Sequence, residues 1–121
     1  MTPRTVQLFG ASLALLGVVL GAFGAHLLKP RLLANGTLDG WQTAIHYQWF
    51  HALALLALAG RVRRGPVVCW LVGTLFFSGS LYILTTNPGQ AWAGPVTPLG
   101  GLFLILGWGW LFISLLRKPA A

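Results

Sequence analysis

The sequence predicts an all-α integral membrane protein, an antiparallel four-helix bundle with both termini in the cytoplasm. Three observations predict it. The first is composition. The 121 residues are 56% hydrophobic and only 7% charged, with mean hydropathy +0.76. An ordinary soluble domain carries about 25% charged residues, and a chain this short needs them to cover its surface. The second is a set of four apolar runs, each long enough to cross a bilayer, which takes about 20 residues. The third is that the basic residues sit at the ends of those runs, as flanking charges of membrane spans do. One domain over 1–121 uses the whole length. A soluble enzyme, a disordered chain and a coiled coil are excluded by the same composition.

The first span covers about 6–28, an apolar run closed by Lys29 and Pro30. A cleaved signal peptide is the rival reading, with Arg4 ahead of the run and Ala22 and Gly24 near a cut, but the run exceeds the usual apolar core of a signal. In the segment 29–40, Pro30 can start a short turn of helix and Asn35-Gly36 can stop it. Its leucines suit a segment lying at the membrane interface. The second span covers about 41–60, polar in its first half and pure Ala and Leu in its second. The third covers about 67–85 and ends at Asn87-Pro88-Gly89. The fourth covers about 99–116, with Thr97 placed to cap it and Pro98 in its first turn.

Four crossings put the N-terminus, the 61–66 loop and the C-terminus on one side. That side collects Arg4, Arg61, Arg63, Arg64, Arg117 and Lys118, against Lys29 and Arg31 on the other, where the only acid, Asp39, also falls. Positive charge marks the cytoplasmic side, so the expected setting is the bacterial cytoplasmic (inner) membrane with both termini inside. Trp41 and Trp92 then fall at the outer interface and Trp70 at the inner one, as an aromatic belt. The scattered cations form no stripe for nucleic acid, and the lipid bilayer is the natural partner. Cys69 is alone and lies in an apolar run, where it reads as a small buried hydrophobe.

Small residues mark the packing faces. Gly10, Ala14, Gly17, Gly21 and Gly24 line one face of the first span, Gly73 and Ser80 part of the third, and Gly100 and Gly107 part of the fourth. Such faces let helices approach closely, within one bundle or between copies. Polar residues inside spans are costly and ask for a role. Tyr47, Gln48 and His51 share a face of the second span, and Ser78 and Tyr82 a face of the third. With His26 and Thr97 they predict a polar cluster in the outer half.

Two readings of that cluster stand. The groups hydrogen-bond one another and fix the register of the bundle, or they bind or transport a small molecule or proton around His51, histidine being the residue type that titrates near neutrality. A two-histidine haem site is disfavoured because His26 and His51 differ in depth by about 12 Å, or about 8 Å with a later start to the second span. His46 and His51 are five apart, on different faces, with no Cys or carboxylate to complete a zinc set. No carboxylate pair, nucleophile triad or phosphate loop appears, so no catalytic residue, metal or cofactor is expected. The expected role is non-enzymatic, through association with a second copy or another membrane protein.

The segments GAFGAHLLK at 21–29, WQTAIHYQWFHALALL at 41–56, LFFSGSLYILT at 75–85 and GPVTPLGGLFLILGW at 94–108 resemble the small membrane family catalogued as domain of unknown function 423, whose relatives include transmembrane protein 256. The blocks occur in order and span most of the chain. The resemblance implies a four-span inner-membrane protein and brings no activity with it. The motif positions that match include His26, Tyr47, Gln48, His51, Ser78, Tyr82, Thr97 and Gly100, while His46 falls outside the fixed pattern.

Overall fold

The computed structural model describes residues 1–117. Lys118, counted above among the cytoplasmic cations, lies outside them. The described residues form helices joined by short turns, without a strand. Helix α1 spans Pro3–Ala25, a short α2 spans Lys29–Asn35, α3 spans Leu38–Leu58, α4 spans Arg64–Thr86 and α5 spans Val96–Leu116, with one 3-10 turn at Ala91–Ala93. Three stretches, Pro3–Ala25, Arg64–Thr86 and Ala91–Leu116, are long and apolar enough to cross a membrane. Helix α3 has the length, but its polar first half dilutes its hydropathy.

The helix ends follow local chemistry. Thr2 caps α1 by accepting the Thr5 N–H at 3.2 Å, with Pro3 at the first helical position, so α1 begins three residues before the apolar run does. It stops at His26, and the chain turns directly into α2. Asn35-Gly36 ends α2 as its sequence predicts: Gly36 adopts φ +68°, a left-handed conformation that glycine takes without steric cost. At the start of α5 the expectation needs correction. Helix α5 begins at Val96 behind Pro95, and Thr97 is not its cap. The Thr97 hydroxyl is engaged with Ser80 of α4 instead. Pro98 is tolerated because first-turn N–H groups lack intrahelical partners anyway.

The long helices pack in chain order: α1 on α3, α3 on α4, α4 on α5. The outward faces are apolar. Leu15 of α1, Leu75 of α4, and Ile105 and Leu115 of α5 are each about two-thirds or more exposed. Exposed aliphatic surface on every long helix is stable only with lipid as solvent. The buried core joins Val6, Leu55, Val67, Trp70 and Leu104.

Glycines set how closely the pairs approach. On α1 the buried small residues are Gly10, Gly17 and Gly24, spaced by seven. A Cβ at Gly24 would enter the Trp41 indole, one at Gly17 the Trp49 indole, and one at Gly10 would meet Leu56 and the Ala52 carbonyl at 2.9–3.0 Å. The α4–α5 seam has the same construction. A Cβ at Gly107 would lie 2.6 Å from Trp70, one at Gly73 2.6 Å from Leu104, one at Gly65 inside the Trp110 ring, and one at Gly100 on the backbone of Phe76 and Phe77. Gly21 differs from the stripe expected for the first span, since a Cβ there would make only an ordinary 3.9 Å contact with Ile45. Ala14 is only half-buried. The working seam of α1 is therefore the heptad of three glycines, because side chains of α3 cover only that line.

The tryptophans correct the aromatic-belt expectation. Trp41 and Trp70 are 3% and 0% exposed, packed into the two seams, and among the three only Trp92 is exposed. An indole packed against a glycine gains more contact there than at a membrane interface.

Helix α2 closes one end of the molecule. Arg31 donates through Nε to the Thr86 carbonyl and through a terminal nitrogen to Asn87 Oδ1, both at 2.9 Å. Asn35 and Thr37 donate to the Thr85 carbonyl at 3.1 and 2.6 Å. These groups satisfy the open carbonyls at the end of α4, and the guanidinium meets the negative end of the helix dipole. We call this the far end, opposite the basic end that holds Arg4, Arg61, Arg63, Arg64 and Arg117.

Substitution should separate the glycines. Gly24→Ala is expected to destabilise the folded protein by about 1–3 kcal/mol through overpacking, since Trp41 is buried and held by its N–H. Gly17→Ala should cost less, because Trp49 can swing toward lipid. Gly21→Ala should stabilise by about 0.5 kcal/mol. Equilibrium unfolding in mixed micelles, followed by circular dichroism, gives all three.

Candidate functional site

Polar groups of the long helices meet on the inner faces of α1, α3, α4 and α5. Gln48 is central. Its Nε2 donates to the Leu13 carbonyl of α1 at 2.8 Å, and its Oε1 accepts the Tyr82 hydroxyl of α4 at 2.6 Å. One side chain thus ties three helices. Seven residues earlier on α3, Trp41 donates to the Leu20 carbonyl of α1 at 3.2 Å. The two α1 acceptors are also seven residues apart, so both bonds read the same antiparallel register. Ser78 of α4 donates to the Ala44 carbonyl of α3 at 2.8 Å. Ser80 donates to the Phe77 carbonyl at 3.0 Å and pairs with the Thr97 hydroxyl of α5.

His51 is 2% exposed, so its ring needs partners on both nitrogens. Nε2 receives the Trp108 indole N–H of α5 at 2.9 Å, and Nδ1 lies 2.7 Å from the Tyr47 carbonyl one turn earlier. An indole N–H can only donate. Nε2 is therefore the bare nitrogen, and the ring's single proton sits on Nδ1, donated to Tyr47. This neutral tautomer leaves neither nitrogen free. Trp108 also packs against Trp70 at a ring-centroid distance of 4.5 Å. Two buried polar atoms, Trp70 Nε1 and Thr74 Oγ1, have no partner among the described residues.

The expected cluster is thus brought together in part. Gln48, His51, Ser78 and Tyr82 join as hydrogen-bonding groups, and Thr97 joins from α5 through Ser80. Tyr47 contributes its backbone carbonyl, while its ring is about half exposed and leans on Phe77 at 4.6 Å. His26 stands apart, exposed where α1 ends. The helix finishes there, so its side chain projects past the bundle rather than into it. Sequence reasoning missed Trp108 as the partner of His51. Periodicity places both residues on inward faces, but nothing in it pairs one helix with another.

Beside the network runs an open groove of about 950 Å³ between α3 and α5, floored by Phe77 of α4. Its walls are Tyr47, Phe50 and His51 on one side and Gly101, Trp108 and Gly109 on the other. It faces the surroundings of the bundle and is almost wholly apolar. A smaller pocket of about 220 Å³ lies at the far end between α1 and α3, and His46 borders both.

A molecule with this apolar exterior and its polar groups turned inward is a small integral membrane protein. Residues 20–101 match the family model described as protein of unknown function (DUF423), and the chain belongs to that family. Its relatives include the UPF0382 inner membrane protein YgdD of Escherichia coli K12, 39% identical over 97% of this chain and 93% of its own. A UPF0382 membrane protein of Staphylococcus saprophyticus is 41% identical over 88% of this chain and 92% of its own. One of Schizosaccharomyces pombe is 35% identical over 90% and 99%. No solved structure matches the chain. With its apolar helices, this kinship identifies an integral inner-membrane protein.

The hydrogen bonds yield a direct test. Tyr82→Phe and Gln48→Leu should each destabilise the fold, with a coupling of about 0.6–1.7 kcal/mol in the double-mutant cycle, the range for interhelical bonds in membranes. Trp108→Phe should cost about 1–3 kcal/mol, because it strands a buried acceptor on His51. Micelle unfolding midpoints measure each.

Proposed function

We propose that the chain crosses the membrane four times, with α3 as a full crossing and both termini in the cytoplasm. We propose further that it acts without catalysis, by seating a transmembrane helix of a second copy or of another membrane protein in the groove between α3 and α5. The crossing of α3 is supported by its 21 residues, about 30 Å of helix, and by its antiparallel packing against α1 and α4. The orientation is supported by the excess of cations at the basic end.

The observation that carries the association reading is the groove itself. Its α5 wall contains two glycines that internal packing does not require. A Cβ at Gly109 would meet nothing within 4 Å, and one at Gly101 would make only ordinary contacts with Phe77 at 3.7–3.9 Å. Glycine in an exposed helix interior costs about 0.5–1 kcal/mol relative to alanine, and backbone access for a neighbouring helix is the gain that offsets it. Binding around His51 is disfavoured because both of its nitrogens are already engaged.

Gly109→Leu narrows the groove without touching the internal seams. It is expected to leave unfolding unchanged while reducing by at least about tenfold a complex captured by crosslinking from a cysteine at Phe50, a loss of about 1.4 kcal/mol. Mass analysis of the product separates a homodimer from a foreign partner. An unchanged crosslink yield would overturn the reading. Single cysteines at Arg63 and Trp92 should label from opposite sides of the membrane, which checks the crossings.

A further inference from the structure

The far-end pocket between α1 and α3 holds polar groups that the hydrogen-bond network does not use. Lys29, Gln42 and His46 all line it, and all three side chains are exposed. None of them takes part in a hydrogen bond with the protein among the described residues. Their neighbours are accounted for. Arg31 is committed to the end of α4, and the indole N–H of Trp41, whose ring forms one wall, is committed to Leu20. Asp39, the chain's only acid, is exposed one turn before Gln42 and forms no ion pair with Lys29. The pocket therefore offers one uncompensated ammonium, one amide N–H₂ and one imidazole, converging on about 220 Å³.

The remaining walls are glycine and apolar carbon: Gly21, Gly24 and Ala25 of α1, with Leu38 and Ile45 of α3. Here the openness at Gly21 finds a use. A side chain at that position would take up part of the pocket, while the Cα–H surface leaves room for a guest. The pocket sits where the apolar helices end, the depth of the headgroup layer, where a basic side chain can meet an anionic lipid headgroup.

We propose that this pocket binds a phosphate group, with Lys29 as the charge partner and Gln42 and His46 as hydrogen-bonding partners. A cation with neutral donors around it fits an anionic oxygen cluster and no cation. Two sources carry that chemistry, the headgroup of an anionic phospholipid and free phosphate in solution. The site does not depend on the groove between α3 and α5, so its test stands apart from the association reading.

Native mass spectrometry of the detergent-purified full chain, titrated with phosphatidylglycerol, diacylglycerol of the same tails or inorganic phosphate, decides the matter. Phosphatidylglycerol should be retained, and diacylglycerol should bind at least about fivefold more weakly. Lys29→Gln and Gln42→Leu should each weaken phosphatidylglycerol binding by about fivefold, with Lys29→Arg retaining it and Arg63→Gln, at the opposite end, leaving it unchanged. Inorganic phosphate that adds its own mass, or displaces the lipid, in a Lys29-dependent way would support the site with the free ion as ligand. Equal retention of phosphatidylglycerol and diacylglycerol would overturn the proposal. So would phosphatidylglycerol binding that is indifferent to Lys29→Gln and Gln42→Leu, or loss in Lys29→Arg equal to that in Lys29→Gln.

Discussion

Indole rings resting on glycines hold this protein together. In a bilayer, helices gain nothing by hiding leucine from lipid, which is equally apolar, so close contact must supply the attraction. Trp41 lies on Gly24, Trp49 on Gly17, Trp70 on Gly107 and Trp110 on Gly65. Four of the six tryptophans are used this way. The pairs fall on both helix hairpins, α1 with α3 and α4 with α5, and each exploits the same complementarity between the largest side chain and the smallest. A ring packed against a bare backbone makes many dispersion contacts at once, and a single methyl group on the glycine would occupy the space the ring fills.

The interface between the two hairpins follows a different rule. Where α3 and the end of α2 meet α4, the bonds are polar: Ser78 to the Ala44 carbonyl, Tyr82 to Gln48, and Asn35 with Thr37, between α2 and α3, to the end of α4. Dispersion is tolerant of small rotations, whereas a hydrogen bond is directional. The seams bring helices close, and the polar bonds fix how far one slides along the other. Gln48 belongs to both systems, because it reads α1 through Leu13 and α4 through Tyr82. The same division accounts for the two buried polar residues near the middle of α3. Gln48 and His51 point inward and are used there, while Gln42 and His46 face the far-end pocket.

Much of the fold is legible in the sequence. The apolar runs locate the long helices to within a few residues, and Asn35-Gly36 marks the end of α2. Gly10, Gly17, Gly24, Gly73, Gly100 and Gly107 are all visible as packing positions. Gly21 shares that spacing without sharing the role, because spacing reports a helix face and not what covers it. Thr97 carries a capping residue's chemistry but spends it on Ser80, a partner brought near only by tertiary packing. Tryptophan near a span end suggests an interface anchor, and only the facing glycine shows Trp41 and Trp70 to be core. The candidate site divides along the same line. Gln48, His51, Ser78 and Tyr82 are legible because polar residues in apolar runs are rare. Trp108, Arg31 and the far-end trio of Lys29, Gln42 and His46 are not, because their meaning lies in pairings across more than one helix.

The order in which the helices touch has a consequence for biogenesis. The long helices pair chiefly as two hairpins of chain neighbours, α1 with α3 and α4 with α5. As the chain leaves the ribosome, α3 finds α1 already inserted, α4 finds α3, and α5 finds α4. Helices α1 and α4 each wait for a later one, α3 and α5 respectively, to supply the main seam. Arg31, Asn35, Thr37 and the Gln48 carboxamide oxygen also have partners on α4 that are made only afterwards. Until α4 arrives, α1 and α3 form a finished seam with an unfinished polar edge. That edge gives the nascent hairpin a specific reason to capture the next helix rather than drift from it into the lipid.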